Sequence, residues 1–137
     1  MTEVKAPNAV MNWVGGMRFE GGLPGGPVTL IDADAKEAPG PMVTLLLALV
    51  SCAGADVVSL MPKMQVELEA FSMEVRGERA PDHPRRWTTL HFTVHLKGKG
   101  LDETKARRAM DLSIQTYCSA INSLNPDIPV SYDLVLG

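Results

Sequence analysis

Hydrophobic and polar positions change their period several times along this chain, and each change marks an element. Residues 8 to 20, NAVMNWVGGMRFE, place apolar runs on either side of Gly15-Gly16, which predicts a short hairpin. GGLPGGP at 21 to 27 reads as a loop, Val28 to Ile31 as a short strand, and Asp32 to Gly40 as a polar loop. The stretch PMVTLLLALVSCAGADVVSLM, residues 41 to 61, is apolar on nearly every side when wound as a helix. Such a helix belongs in a core rather than on a surface. Pro41 suits the first turn, where its missing N–H is not needed. Pro62 is expected to end or kink the helix, because it cannot donate to the ladder.

From about Gln65 to Arg79 the chain reads as one long strand whose apolar phase shifts. Val66, Leu68 and Ala70 share one phase and Phe71, Met73 and Val75 the other, which predicts a bulge near Ala70. A Pro-rich turn, APDHPRR at 80 to 86, leads to a partner strand over Trp87 to Lys97. There Leu90, Phe92, Val94 and Leu96 face inward, while Thr89, His91, Thr93, His95 and Lys97 face out. After Gly98 to Gly100, Asp102 is a plausible N-cap for a second helix. Ala109, Leu112, Ser113, Thr116, Tyr117, Ala120, Ile121 and Leu124 give it an amphipathic rhythm up to Asn125-Pro126. Val130 to Leu136 is a last strand. The order predicts an α+β fold, largely antiparallel, in a single domain over 1–137. One sheet and one other helix give the apolar helix limited cover in so small a chain, so a dimer burying it is expected.

Composition narrows the picture. Eight methionines outnumber the three Phe, two Trp and two Tyr together, so part of the core is thioether packing. A net charge of −3 gives no case for a nucleic-acid partner. MTEVKAPNAV lacks the apolar run of a secretory signal. Thr44, Ser51, Gly54 and Asp56 interrupt the apolar helix, so no membrane span is expected. A soluble cytoplasmic protein is the expectation. There a structural disulfide between Cys52 and Cys118 is disfavoured, and their spacing fits no zinc site.

Cys52 is the sharpest candidate for chemistry. A reactive thiol needs a nearby cation or helix N-terminus and some access. Cys52 lies about three turns into its helix, too far for the dipole to help much. Activation must come from elsewhere, and Arg18 is the best candidate cation. The alternative is that Cys52 is a small apolar filler, as free cysteines often are. Cys118 is the natural second thiol if the helices cross, and a disulfide would need their Cα atoms within about 7 Å. His91 and His95 are expected to be solvated, with His83 in the Pro-rich turn. Glu78-Arg79 reads as a local ion pair, and GGLPGG lacks the lysine and helix of a phosphate loop.

Four segments together resemble the OsmC/Ohr family, the osmotically inducible and organic-hydroperoxide-resistance proteins. They are GGMRFEGG at 15 to 22, the 41–61 helix, VRGERAPDHPRRWTTLHFTVHLKG at 75 to 98 and LSIQTYCSAINSL at 112 to 124. GADVVSL and GERAPDHP bring the chain nearer the OsmC-like branch. The resemblance implies an intertwined homodimer with β-sheet around two central helices and active sites at the subunit interface. It implies reduction of organic hydroperoxides by a cysteine pair, with no cofactor, metal or flavin. Cys52 would be the attacking thiolate, Cys118 the resolving thiol and Arg18 the thiolate-stabilising arginine. A dithiol reductant, lipoyl-bearing in some members, would restore the thiols. One departure stands out: the family's glutamate directly after the proline is Met42 here, which cannot hold a guanidinium by charge-assisted bonds. Glu20 and Glu37 are the carboxylates available to replace it.

Two functions follow. The first is a cysteine-based peroxidase acting on apolar hydroperoxides. The second, favoured by the missing glutamate and the Met-rich composition, is a non-enzymatic or redox-sensing dimer that binds a small apolar ligand.

Overall fold

A computed structural model describes residues 6–137 as two compact units, one extending to Leu47 and the other running from Ala48 to Gly137. The fold is α+β, with two small sheets of three strands each.

The first unit holds β1 (Val10–Trp13), β2 (Arg18–Gly22) and β3 (Val28–Asp32), antiparallel in sequence order. The predicted hairpin turns at Gly15 and Gly16, whose φ angles of +108° and +56° are costly for other residues. The Trp13 indole N–H closes the turn onto the Gly16 carbonyl at 2.9 Å. The same unit contains the start of α1 (Pro41–Lys63), where the Thr44 hydroxyl donates to the Gly40 carbonyl at 2.7 Å.

The second unit carries the rest of α1, then β4 (Glu67–Arg79), β5 (Trp87–Lys99), α2 (Glu103–Leu112) and β6 (Val130–Leu136). β4 and β5 are antiparallel, while β6 lies parallel to β5 on its other side. A parallel neighbour needs a crossover, and the segment carrying α2 supplies it. The predicted bulge lies between Leu68 and Ala70. Opposite it a Cβ on Gly98 would stand 2.5 Å from the Glu67 carbonyl oxygen, so only glycine fits this approach. Leu90, Phe92, Val94 and Leu96 of β5 are buried, as their alternation predicts. Their polar neighbours occupy the opposite face.

Two expectations are corrected. α1 is not buried all round: Leu49, Ala53, Val57 and Met61, spaced by four, form its buried stripe, whereas Val43, Leu45, Leu47 and Val58 are exposed. By length and composition α1 is also apolar enough to cross a bilayer despite its interruptions, and 28% of its most apolar window is buried in the protein. Pro62 lies in the last turn of α1, which ends one residue later at Lys63, close to where the proline is expected to stop it. The second helix is not continuous to Leu124. α2 stops at Leu112, a π-helical turn spans Ser113–Tyr117, Cys118 is extended (φ −73°, ψ 101°), and a 3-10 turn follows over Ile121–Ser123. No Gly or Pro announces this break. The Asn122 amide satisfies it, donating to the carbonyls of Ile114 at 3.1 Å and Cys118 at 2.8 Å.

Candidate functional site

α1 presents Cys52 half-buried, and the break after the π turn carries Cys118 inward until no surface remains. Both are free thiols. The Cys118 Sγ accepts the Ile121 N–H at 3.4 Å and stands 4.0 Å from the carbonyl of Leu49, three residues before Cys52 on α1. Cys118 thus packs against α1 within one turn of Cys52. Burial above all pushes the Cys118 thiol up to about 11; the Ile121 N–H opposes this, and the neighbouring Cys52 adds to the rise. Cys118 is therefore held as a neutral thiol at neutral pH.

The same two elements are tied a second time. Asp56 lies one turn after Cys52 on α1, and its Oδ2 accepts the hydroxyl of the fully buried Ser113 at 2.9 Å. Ser113 opens the π turn, and its carbonyl accepts the Cys118 N–H at 2.7 Å. One residue thus bonds to the Cys52 helix by its side chain and to Cys118 by its backbone. Sequence reasoning placed Ser113 in an amphipathic stripe and Asp56 as a polar break. The four-residue step from Cys52 to Asp56 was the only available signal.

Arg18, the third predicted site residue, belongs to the first unit. It begins β2, and its guanidinium forms an ion pair with Glu37 (Nη1–Oε2, 2.8 Å), while its Nε donates to the Gly15 carbonyl at 3.4 Å. Of the two candidate carboxylates, Glu37 is the one that holds the guanidinium. Both side chains are partly exposed, so the pair fixes direction more than it adds stability. Glu37 is held in turn by the buried Asp32, whose carboxylate accepts the N–H groups of Asp34, Lys36 and Glu37 at 2.9, 3.2 and 3.0 Å. These bonds, led by that of Glu37 and joined by the Arg18 charge, lower the Asp32 pKa. Asp32 was read only as the start of a polar loop. An aspartate ending a strand before a turn is the signal for this Asx arrangement.

Other expected surface groups find partners. His91 is not merely solvated: Nδ1 meets the Ser131 hydroxyl at 2.7 Å and Nε2 the Asp133 carboxylate at 3.1 Å, from the strand brought alongside by the parallel pairing. Arg79 does not pair with Glu78. It donates to the Arg85 carbonyl at 2.8 Å and lies over the Trp87 ring, 5.7 Å from its centroid. A surface groove of about 470 Å³ runs along α2 between Glu103, Arg107, Arg108, Asp111 and Gln115 and contains neither cysteine.

This α+β arrangement of two small sheets with a long apolar helix is the fold of OsmC-like proteins. The OsmC-like protein family matches residues 33–133, and the chain belongs to that family. Protein YhfA of Escherichia coli is 31% identical over 130 residues, covering 93% of this chain and 97% of its own. The OsmC-like protein of Mycoplasma pneumoniae shares the fold with a TM-score of 0.81 at 16% identity, over 96% of this chain and 97% of that one. The organic hydroperoxide resistance protein OhrB of Bacillus subtilis gives 0.63 at 16% identity, over 93% and 97%.

Proposed function

We propose that this protein reduces organic hydroperoxides with a two-cysteine cycle. The observation that carries the reading is a half-buried Cys52 on α1 with a second free thiol, the buried Cys118, packed against the same helix within one turn of it, its Sγ 4.0 Å from the Leu49 carbonyl. Cys52, as thiolate, attacks the terminal oxygen of ROOH. The O–O bond breaks, the alcohol leaves after taking a proton, and Cys52 becomes a sulfenic acid. Cys118 then attacks the Cys52 sulfur. Its proton leaves with the hydroxyl as water, and a disulfide forms. An external dithiol returns both thiols by exchange. Family membership supports Arg18 as the cation favouring the thiolate, and the ion pair with Glu37 supports that carboxylate in the role of the family's missing glutamate. We take the working unit to be a homodimer, a reading supported by the exposed apolar side chains of α1.

Consumption of cumene hydroperoxide by reduced protein with dihydrolipoamide tests this. Turnover is expected in the parent, none in Cys52→Ser, and a single sulfenic-acid event without disulfide in Cys118→Ser. Glu37→Gln keeps the shape but loses the charge, and should lower kcat/KM roughly tenfold. No turnover in the parent with any dithiol would overturn the reading and turn attention to the apolar-ligand or redox-sensing alternative.

A further inference from the structure

The Asp56–Ser113 hydrogen bond has no part in the peroxide chemistry described above, yet it joins the two cysteine-bearing segments. Its donor is completely buried, its acceptor is half-buried, and its length is 2.9 Å. On α1, Asp56 stands one turn from Cys52. On the other side, Ser113 is the residue whose carbonyl holds the Cys118 N–H at 2.7 Å and whose own N–H caps α2 on the carbonyls of Ala109 and Met110. The π turn is the least regular part of this segment, with one more residue in its hydrogen-bonded ring than an α turn. Left to itself it would relax to the commoner α winding, which would rotate the residues after Ser113 about the helix axis and move Cys118 with them. A part-buried hydrogen bond to a carboxylate is strong enough to choose between such alternatives.

We propose that Asp56 and Ser113 are positioning residues. They register the π turn against α1 so that the Cys118 sulfur is presented to Cys52 for disulfide formation. The inference rests on the reading of Cys52 and Cys118 as a working thiol pair. The step it serves is the second one: Cys118 S–H and Cys52 S–OH give the disulfide and water. Without the clamp Cys118 spends less time in line with Cys52, and the sulfenic acid lives long enough to meet a second peroxide and become sulfinic acid.

The test compares parent, Asp56→Ala, Ser113→Ala and Asp56→Asn, each checked for native circular dichroism. Two oxidants keep the two readings apart. Diamide accepts two electrons and two protons from a thiol pair and needs no peroxidase chemistry. Disulfide formation under diamide is expected to slow roughly tenfold in Asp56→Ala and Ser113→Ala. It should return near the parent rate in Asp56→Asn, whose amide oxygen still accepts the Ser113 hydroxyl. Under cumene hydroperoxide, intact mass should show the two alanine variants shifted from disulfide towards Cys52 sulfinic acid. Parent-like diamide rates in both folded alanine variants would overturn the proposal, as would a parent that forms no Cys52–Cys118 disulfide. A parent that forms the disulfide under diamide but is untouched by hydroperoxides would sink the peroxidase reading and leave the clamp standing. Should Asp56→Ala not fold, Ser113→Ala, which removes a single oxygen, carries the comparison.

Discussion

Cys118 shows how a residue's chemistry is set by the atoms around it. It has no exposed surface, and burial together with its neighbour Cys52 raises its pKa to about 11. An unperturbed thiol ionises near 8.5. The fold therefore favours the protonated form. That contribution to stability is fully present below the unfolded pKa and is lost as pH rises from there through about 11. Iodoacetamide, which reacts with thiolates, should label Cys52 well before Cys118 at pH 8. Cys118 labelling should climb only as pH nears 11, and peptide mapping reads both. Equal labelling at pH 8 would contradict the buried, neutral Cys118. Arg18 makes the complementary point. Its partner Glu37 lies nineteen residues on, in a loop whose shape depends on Asp32 gathering three backbone N–H groups. Sequence could name Glu37 as a candidate but had no means to choose it over Glu20.

Elements with one clear period were legible. β5 alternates without a break, and its inward set is the buried set. The bulge in β4 was visible as a change of phase, because a side-chain period of two makes any single insertion flip the faces. Phe92 sits at the middle of this sheet with no exposed surface, opposite Val75 on one neighbour and Tyr132 on the other. Phe92→Ala should cost about 3–5 kcal/mol, by lost transfer energy and an unfilled cavity. Urea unfolding monitored by circular dichroism measures this, and a loss below 1 kcal/mol would mean the sheet collapses around the gap. The second helix was less legible. Its apolar rhythm continues past Leu112, but the winding changes from α to π and then breaks at Cys118. Periodicity reports which face is apolar. It does not report a change in residues per turn that the hydrogen bonds accepted by Asp56 and donated by Asn122 accompany.

At the scale of the whole molecule, α1 has a buried stripe and an exposed apolar remainder that includes Val43, Leu45, Leu47 and Val58. Large apolar side chains left exposed along one helix are candidates for a contact between copies of the chain. Sedimentation equilibrium should give twice the chain mass of 14.8 kDa at micromolar concentration. Val58→Glu should shift it towards the monomer by placing a charge in the proposed contact. A parent that sediments as a monomer across that range would contradict the homodimer.

The sequence by itself determined the α+β class, the order of strands and helices, the β4 bulge, the inward face of β5 and the two thiols worth weighing. Each of these is written in local periodicity or in a short motif, which near neighbours along the chain are enough to specify. Only the tertiary structure decided that β6 runs parallel to β5, that Glu37 takes the Arg18 guanidinium, that Ser113 reaches Asp56, and that the second helix breaks to bury Cys118 beside Cys52. These depend on residues 19 to 66 positions apart meeting in space, where burial and hydrogen-bond geometry, rather than local propensity, choose the partner.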